Sequence, residues 1–540
     1  MKKSILFIVA ALLILTQACI RDMGNYDYLD INEFQFVGFQ TPDGVDATIG
    51  RSPANPINVE DPLQGITLIP VISTSMDTEE NLVFAWLNDS AGVPLTVHQG
   101  RNLENFRVPA HWSGNTVVTL RIRDVVSRKI LNTPININVV NPFTAGYMVL
   151  QVDNQGYMRL DMLSWLHGVE YRHMKNVLEG SGFPRQRGAR QVVSAPDGIG
   201  AAAFGGRSVF IITDDPDVYR VDHRDFTWVG EQGHLRNAFL SAAFFPAELN
   251  VTNMSNLGLT PNLLNMEGNL FFHNPPSQRF FSFEQNRRAD GSRFPASRHV
   301  SQFAATFLIF DDESKSFYML RPNTDVTWSV PVVARPDSLT SLRNMGMDLI
   351  FSGAASSFIP ASPPPATSVP SNTMSYNILR DASGNYHALR IIMETGQQEY
   401  FRPMNMAGLP EGAATNLDNA IMAVGGEFVE SQMYVAIGGR VFQYNIRTNL
   451  FTEVLHLPGE TITFMGFLPN ARHVGPTDHP DHGRDAHRFI VIGSFDGTMG
   501  TLTHFRIPSG TGRFTVYQDE NTGQIHQWDG FGEIRDVINR

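Results

Sequence analysis

Along most of this chain apolar and polar residues alternate with a period of two, the spacing of a strand that buries one face. Between residues 31 and 140 the segments INEFQFVGF, ITLIPVIST, LVFAWLND, TVVTLRIRDV and ININVV follow the pattern, parted by Pro, Gly and Asn. Short strands and turns gathered around Trp86 predict a small β-sandwich of the immunoglobulin type. An irregular all-β domain of another topology fits the same pattern. Near Asn141-Pro142 the rhythm changes. From 141 to 540 the chain repeats a coarser unit: an apolar strand, a turn carrying Asp, Asn, Gly or Pro, and a second strand ending in polar or aromatic residues. Hairpins of this form start at Gly146, Ser208, Asn269, Ala305, Asn385, Met433 and Arg488. One hairpin cannot bury its apolar face, but four-stranded sheets stacked around an axis can. The pattern therefore predicts an all-β chain in which a seven-bladed β-propeller over 141–540 follows the sandwich. Stacked sandwiches or an irregular barrel are the alternatives.

Further strands are expected in VTWSVPVVA and MDLIFSG, within 326–357. Two segments break the period. Residues 161–179, DMLSWLHGVEYRHMKNVLE, predict a short helix despite Gly168. Residues 359–371, IPASPPPATSVPS, lack ladder donors and predict an exposed loop. At the C-terminus GRFTVYQDE and QIHQW flank Asn521-Thr522-Gly523, a hairpin signal. The final GFGEIRDVINR keeps Ile534, Val537 and Ile538, which a disordered tail has little reason to hold. It is expected to pack on residues 146–152 and close the ring, as a strand or a helical turn.

The N-terminus has a different pattern. Lys2 and Lys3 precede ILFIVAALLIL at 5–15, an unbroken apolar run too short for a stable bilayer span. A basic start, a short apolar run and a processing site make a signal peptide, here residues 1–18. Cys19 follows directly and is the only cysteine in the 540 residues, so no intramolecular disulfide can form. The TQAC stretch resembles a bacterial lipoprotein box, with Thr16 where that pattern prefers a large aliphatic residue. The resemblance implies that Cys19 becomes the lipidated first residue, that 19–30 is a tether, and that the membrane is reached through the lipid. The formal charge of −12 excludes a general attraction to phosphate backbones, so nucleic acid is not an expected partner.

Several stretches resemble one family. GNYDYLDINE at 24–33, FAWLND at 84–89, VTLRIRD at 118–124 and WDGFGEIRDV at 528–537 are similar to the PKD-like lipoproteins of Bacteroidetes. The resemblance covers nearly the whole chain. It implies an Ig/PKD-like sandwich at 31–140 and an accessory lipoprotein of the outer membrane, displayed at the cell surface, in a SusC/SusD-type nutrient-uptake locus. The implied partners are the SusC/SusD-like transporter components and an oligosaccharide or peptide ligand. That family displays an acidic patch soon after the lipid cysteine as its export signal. Here only Asp22 lies close, beside Arg21, so the periplasmic face stays open. The family supplies no catalytic residues to carry over.

Signals of chemistry are sparse. Glycines at 205–206 and 425–426 are not followed by a phosphate-cradling pattern, and neither G-x-S-x-G nor H-E-x-x-H occurs. The densest polar cluster, ARHVGPTDHPDHGRDAHRF, brings together His473, Asp478, His479, Asp481, His482, Asp485 and His487. Imidazole and carboxylate are proper zinc ligands, although a wet loop collects the same residues without a metal. Adjacent acids at Asp214–Asp215 and Asp311–Asp312 fall at hairpin turns, where turn formation explains them as exposed side chains. Aromatics number 37 Phe, 13 Tyr and 6 Trp, and most fall inside strands, where packing explains them. Trp112, Trp165 and Trp228 lie near element ends and are candidate ligand-binding rings, with Trp528 competing between binding and chain closure. The expectation is a noncatalytic surface subunit with no cofactor that takes up glycans or peptides. The alternatives are a propeller-type hydrolase or lyase acting on an extracellular polymer, and an adhesion or scaffold protein.

Overall fold

The computed structural model describes residues 32–539, except 43, 60–64, 77–78, 89–94, 107, 109–113, 140–142, 144, 167–169, 196–207, 224, 229, 240–248, 256–262, 275–278, 281–283, 304–305, 321–329, 332–338, 357–372, 394, 411–416, 425–431, 468–488, 509–511 and 520–522. Cys19 and the tether, Trp112, the proline-rich loop and the whole His/Asp cluster at 473–487 lie outside the described residues. The chain is all-β and largely antiparallel, and it divides into two compact units, Met1–Asn141 and Pro142–Arg540.

In the first unit a three-stranded sheet (Gly44–Asp46, Phe34–Thr41, Pro70–Thr74) and a five-stranded sheet share one core. The larger sheet runs Ile57–Val59, Ile130–Val139, Gly114–Asp124, Leu82–Asn88, Leu95–Gln99, and its first pair is the parallel exception. The period of two explains the packing. Phe34, Phe36 and Ile72 point inward from one sheet and Trp86, Leu120 and Ile122 from the other, while Gln35 and Val83 face water. Trp86 is fully buried, and its indole N–H donates to the Arg101 carbonyl at 3.3 Å. That bond satisfies the one polar atom the ring carries into the core.

Among the described residues the second unit is a series of seven sheets in chain order. Each of the seven hairpins read from the sequence belongs to a different sheet. The first sheet orders Glu170–Met174, Met158–Leu166, Gly146–Val152 and, at its edge, Glu533–Asn539 from the chain's end. That tail is a strand, not a helical turn. The described residues of 161–179 are likewise not helical: they hold the end of Met158–Leu166 and then Glu170–Met174. Residues 160–164 are all buried, so the strand shows no clean alternation, and a run buried on both faces is ambiguous between helix and strand.

Edge strands of successive sheets lie side by side: Thr461–Gly466 against Glu533–Asn539, that strand against Gln191–Ala195, and Gln191–Ala195 against Val251–Ser255. On the far side Ser301–Phe303, Asp348–Ser356, Ile421–Val424 and Thr461–Gly466 follow one another in the same way. Polar side chains join the sheets. Gln191 exchanges two 2.8 Å hydrogen bonds with the backbone of Met254, and Ser301 bonds Ser352 and Ser375 at 2.7 Å.

A recurrent turn underlies this series. Asp311 ends a strand, and Asp153, Asp381 and Asp496 each directly follow one; all four accept two backbone N–H bonds from the turn that follows, at 2.7–3.2 Å. Asp311 is fully buried rather than exposed. Burial alone would raise its carboxyl, but Ser314 and Arg288, the latter at 2.7 Å, hold it below the ordinary range. Asp214 does lie in the open, paired with Arg190 at 2.7 Å.

Candidate functional site

Where the first and seventh sheets meet, three backbone segments converge on one strand. On Gly500–Arg506, His504 donates its N–H to the His526 carbonyl at 2.9 Å and accepts from the Tyr517 N–H at 2.9 Å. The His526 N–H closes the triangle on the Tyr517 carbonyl at 3.0 Å. This backbone pairing brings the imidazoles of His504 and His526 together at an interplanar angle of 65°, Nδ1 to Nδ1 at 3.2 Å, with both residues at most 4% exposed.

That contact constrains the tautomers. One Nδ1 must carry the proton and the other must accept it, so the first histidine keeps a bare Nε2 and the second an Nε2–H. The pair therefore presents one donor and one acceptor, and neither Nε2 has a hydrogen-bond partner. Burial holds His504 well below the usual imidazole range and lowers His526 to about 4, with Asp519 pulling the second back up.

Aromatic rings from the first sheet enclose the pair. Tyr147 stands edge-on to His504 at 4.9 Å, and Tyr171 stands edge-on to His526 at 5.3 Å. Burial pushes Tyr147 up to about 12 and Tyr171 well above the usual phenol, so both are neutral donors. Half-buried Trp165 packs on Tyr171 at 4.6 Å, and half-buried Trp528 packs on Tyr171 at 5.1 Å and on both histidines at 5.1 and 5.3 Å. Trp165, read from sequence as a candidate, thus shares the Tyr171 ring with Trp528 from the other end of the chain. The outer indoles offer apolar ring surface of the kind that stacks on sugar rings or peptide side chains. The histidine pair lies behind them, closed from solvent.

A buried ion pair steadies the first-sheet wall. The Asp161 carboxylate is fully buried and takes Arg159 Nε at 2.9 Å, His173 Nε2 at 2.8 Å and the Asn176 N–H at 2.8 Å. Burial alone would raise this acid, but His173, Arg159 and Asn176 hold it below its ordinary value. Arg159 reaches on to Gln151 Oε1 at 3.0 Å and the Gly530 carbonyl at 3.1 Å, tying the segment after Trp528 to the first sheet.

Trp228 lies elsewhere, at the outer edge of the second sheet. It packs with Phe183 and Tyr219 at 6.3 and 6.1 Å, with interplanar angles of 69° and 90°. Rings set edge to face in this way make a packed corner rather than a flat platform. Trp165 and Trp228 are therefore not part of one site. His504, His526, Tyr147 and Tyr171 escape a reading of the sequence, because a histidine or tyrosine inside an alternating strand looks like ordinary core. Among the described residues no three His, Cys, Asp or Glu side chains are grouped to hold a metal, and no helix is long and apolar enough to cross a membrane.

No protein-family model and no curated protein matches the sequence. Among solved structures the chain is similar to a quinonprotein alcohol dehydrogenase-like protein from Bacteroides thetaiotaomicron, at 9% identity and a TM-score of 0.45 over 90% of this chain and 97% of that one. It also resembles PorZ, a surface component of the type-IX secretion system of Porphyromonas gingivalis, at 8% identity and a TM-score of 0.35 over 69% and 40%. A third likeness is the extracellular domain of a hybrid two-component system from B. thetaiotaomicron, at 10% identity and a TM-score of 0.32 over 64% and 35%. All three are too distant to carry a functional argument.

Proposed function

We propose that this chain is a lipid-anchored protein of the bacterial outer membrane that binds an oligomeric nutrient, glycan or peptide, without transforming it. In this reading it is an accessory subunit beside SusC/SusD-like transporter components, built as an Ig/PKD-like sandwich followed by a closed seven-bladed propeller. The seven sheets in chain order, with the last strand at the edge of the first sheet, support the propeller. The signal segment followed at once by Cys19 supports the anchor.

The observation that carries the binding role is that half-buried Trp165 and Trp528 both pack on Tyr171. Two partly exposed indoles set around a phenol supply stacking surface, and Tyr171 has no charge that would favour an ionic ligand. The test is purification of the mature protein from native outer membrane, with identification of retained ligand and co-purifying transporter subunits. Retained oligosaccharide or peptide is expected, and Trp165→Ala or Trp528→Ala should weaken its rebinding by about tenfold or more, the scale of one lost aromatic anchor. Rebinding that ignores both substitutions removes this site from consideration.

The hydrolase or lyase alternative has one observation in its favour. Burial raises Asp536, on the closing strand, to about 7, the condition of a general acid. Loss of a polymer-cleaving activity in Asp536→Asn, with the melting temperature retained, would favour that alternative.

A further inference from the structure

We propose that the His504–His526 pair is an acid-sensitive latch on the seam between the first and seventh sheets. The inference concerns how this unit is held shut and does not depend on what it binds. Both imidazoles sit where the C-terminal segment returns to the first sheet, and their Nδ1–Nδ1 hydrogen bond exists only while at least one of them is neutral.

Protonation acts in two steps. The first proton goes to the bare Nε2 of the histidine whose Nδ1 donates. The Nδ1–Nδ1 bond survives that step, but a cation now stands in a buried, aromatic-walled space. The second proton consumes the remaining Nδ1 lone pair and sets two N–H groups against each other, which breaks the contact. The ionisable groups facing the pair are few. Tyr147 and Tyr171, both kept neutral by burial, come from the first sheet, and Tyr517 from the strand end beside it. Asp519 is the carboxylate that acts on His526, and it compensates only part of the burial.

The direction follows from linkage. In an opened seam each imidazole meets water and titrates near its ordinary value of 6.5, whereas in the closed seam His526 waits until about 4 and burial likewise holds His504 well below its ordinary value. The open state therefore binds more protons between those limits. Closure is fully favoured above about pH 6.5 and is lost as the pH falls through 4, by up to about tenfold per pH unit for each histidine. Because the same segment leads into the closing strand Glu533–Asn539, loosening it frees the joint on which the first sheet depends.

The test uses the full mature chain. Melting temperature is followed from pH 7.5 to 4.5 for the natural protein and for His504→Gln with His526→Gln, which keep polarity but cannot take a proton. The natural protein should lose melting temperature more steeply below pH 6.5 than the double variant. Parallel curves overturn the latch. Should the double variant fail to fold, histidine-selective nitrogen NMR of the natural protein decides. One Nδ1–H and one Nε2–H tautomer, both unchanged down to about pH 5, are expected for this pair, and titration of either ring near 6.5 overturns the proposal.

Discussion

Val149 and Val537 are register partners in one antiparallel ladder, although nearly the whole second unit separates them along the chain. Both are buried, in a core shared with Ile534 on the same tail and with Val491 and Leu502 of the seventh sheet. The ladder runs from Tyr147–Asn539 to Val152–Glu533, with one irregularity at Leu150/Gln151. The first sheet thus obtains its edge strand from the chain's end, and its integrity is coupled to everything folded in between.

Truncation after Glu520 removes the closing strand and the segment bearing His526 and Trp528. It leaves the Gly146–Val152 ladder edge unpaired and uncovers Val149, Val491 and Leu502. An exposed edge of this kind also invites pairing between molecules. We expect a melting temperature more than 10 °C lower, on the scale of several kcal/mol for a unit of this size, together with aggregation. An unchanged melt with the sheet signal intact would show that closure contributes nothing.

Gly532 offers a sharper probe of the same joint. A Cβ there would fall 2.2 Å from the Val152 carbonyl oxygen, a backbone atom that cannot swing aside. The Gly532 N–H also donates to Gln151 Oε1. Gly532→Ala should cost roughly 1–3 kcal/mol through overpacking, measured by urea unfolding. Gly523→Ala, at a positive φ in an open turn, is the comparison. It should cost less, and equal losses would mean that steric contact at the joint is not what matters.

Asp161→Ala should be among the most damaging single changes in the first sheet. It strands Arg159 and His173 beside a buried void, and removing one partner of a buried pair costs about 3–5 kcal/mol. Because the folded protein holds this acid below its ordinary value, its contribution is present at neutral pH and is lost as the pH falls through the folded value. The gap in stability between the natural protein and the variant should therefore narrow as the pH falls below the ordinary carboxylate value of 3.8. A constant gap across the acid range would contradict the ion-pair account.

Asp536 has the opposite sign. Burial raises it to about 7, against the Val192 N–H bond that favours its ionised form. A carboxyl raised above its unfolded value of about 3.8 contributes stability that is full below that value and is lost as the pH rises through 7. Asp536→Asn removes this dependence. Its stability curve should be flatter than that of the natural protein between pH 5 and 8, as thermal melts at fixed salt would register. Identical slopes would place the carboxyl in contact with water.

The sequence alone determined which segments become the central strands of the second unit. GYMVLQV, SVFII, TFLIFD, YVAI and FIVIGSF are apolar on both faces, because strands inside a sheet that is itself covered on two sides have no wet face to mark. Their turn residues were equally legible, and so was the apolar content of the tail. The edge strands were not. Gln191–Ala195 and Ser301–Phe303 carry Gln and Ser that read as loop, yet Gln191 and Ser301 bond to neighbouring sheets, and Ser301 is fully buried there. Residues 161–179 misread as a helix because full burial across 160–164 erases the alternation that separates the two periods. The site lay further still from the sequence. Nothing local to His504, His526, Tyr171 or Trp165 says that they meet, because their meeting depends on a strand from one end of the unit pairing with a strand from the other. Periodicity reports the environment of a residue along its own strand, and only tertiary closure decides which strands share it.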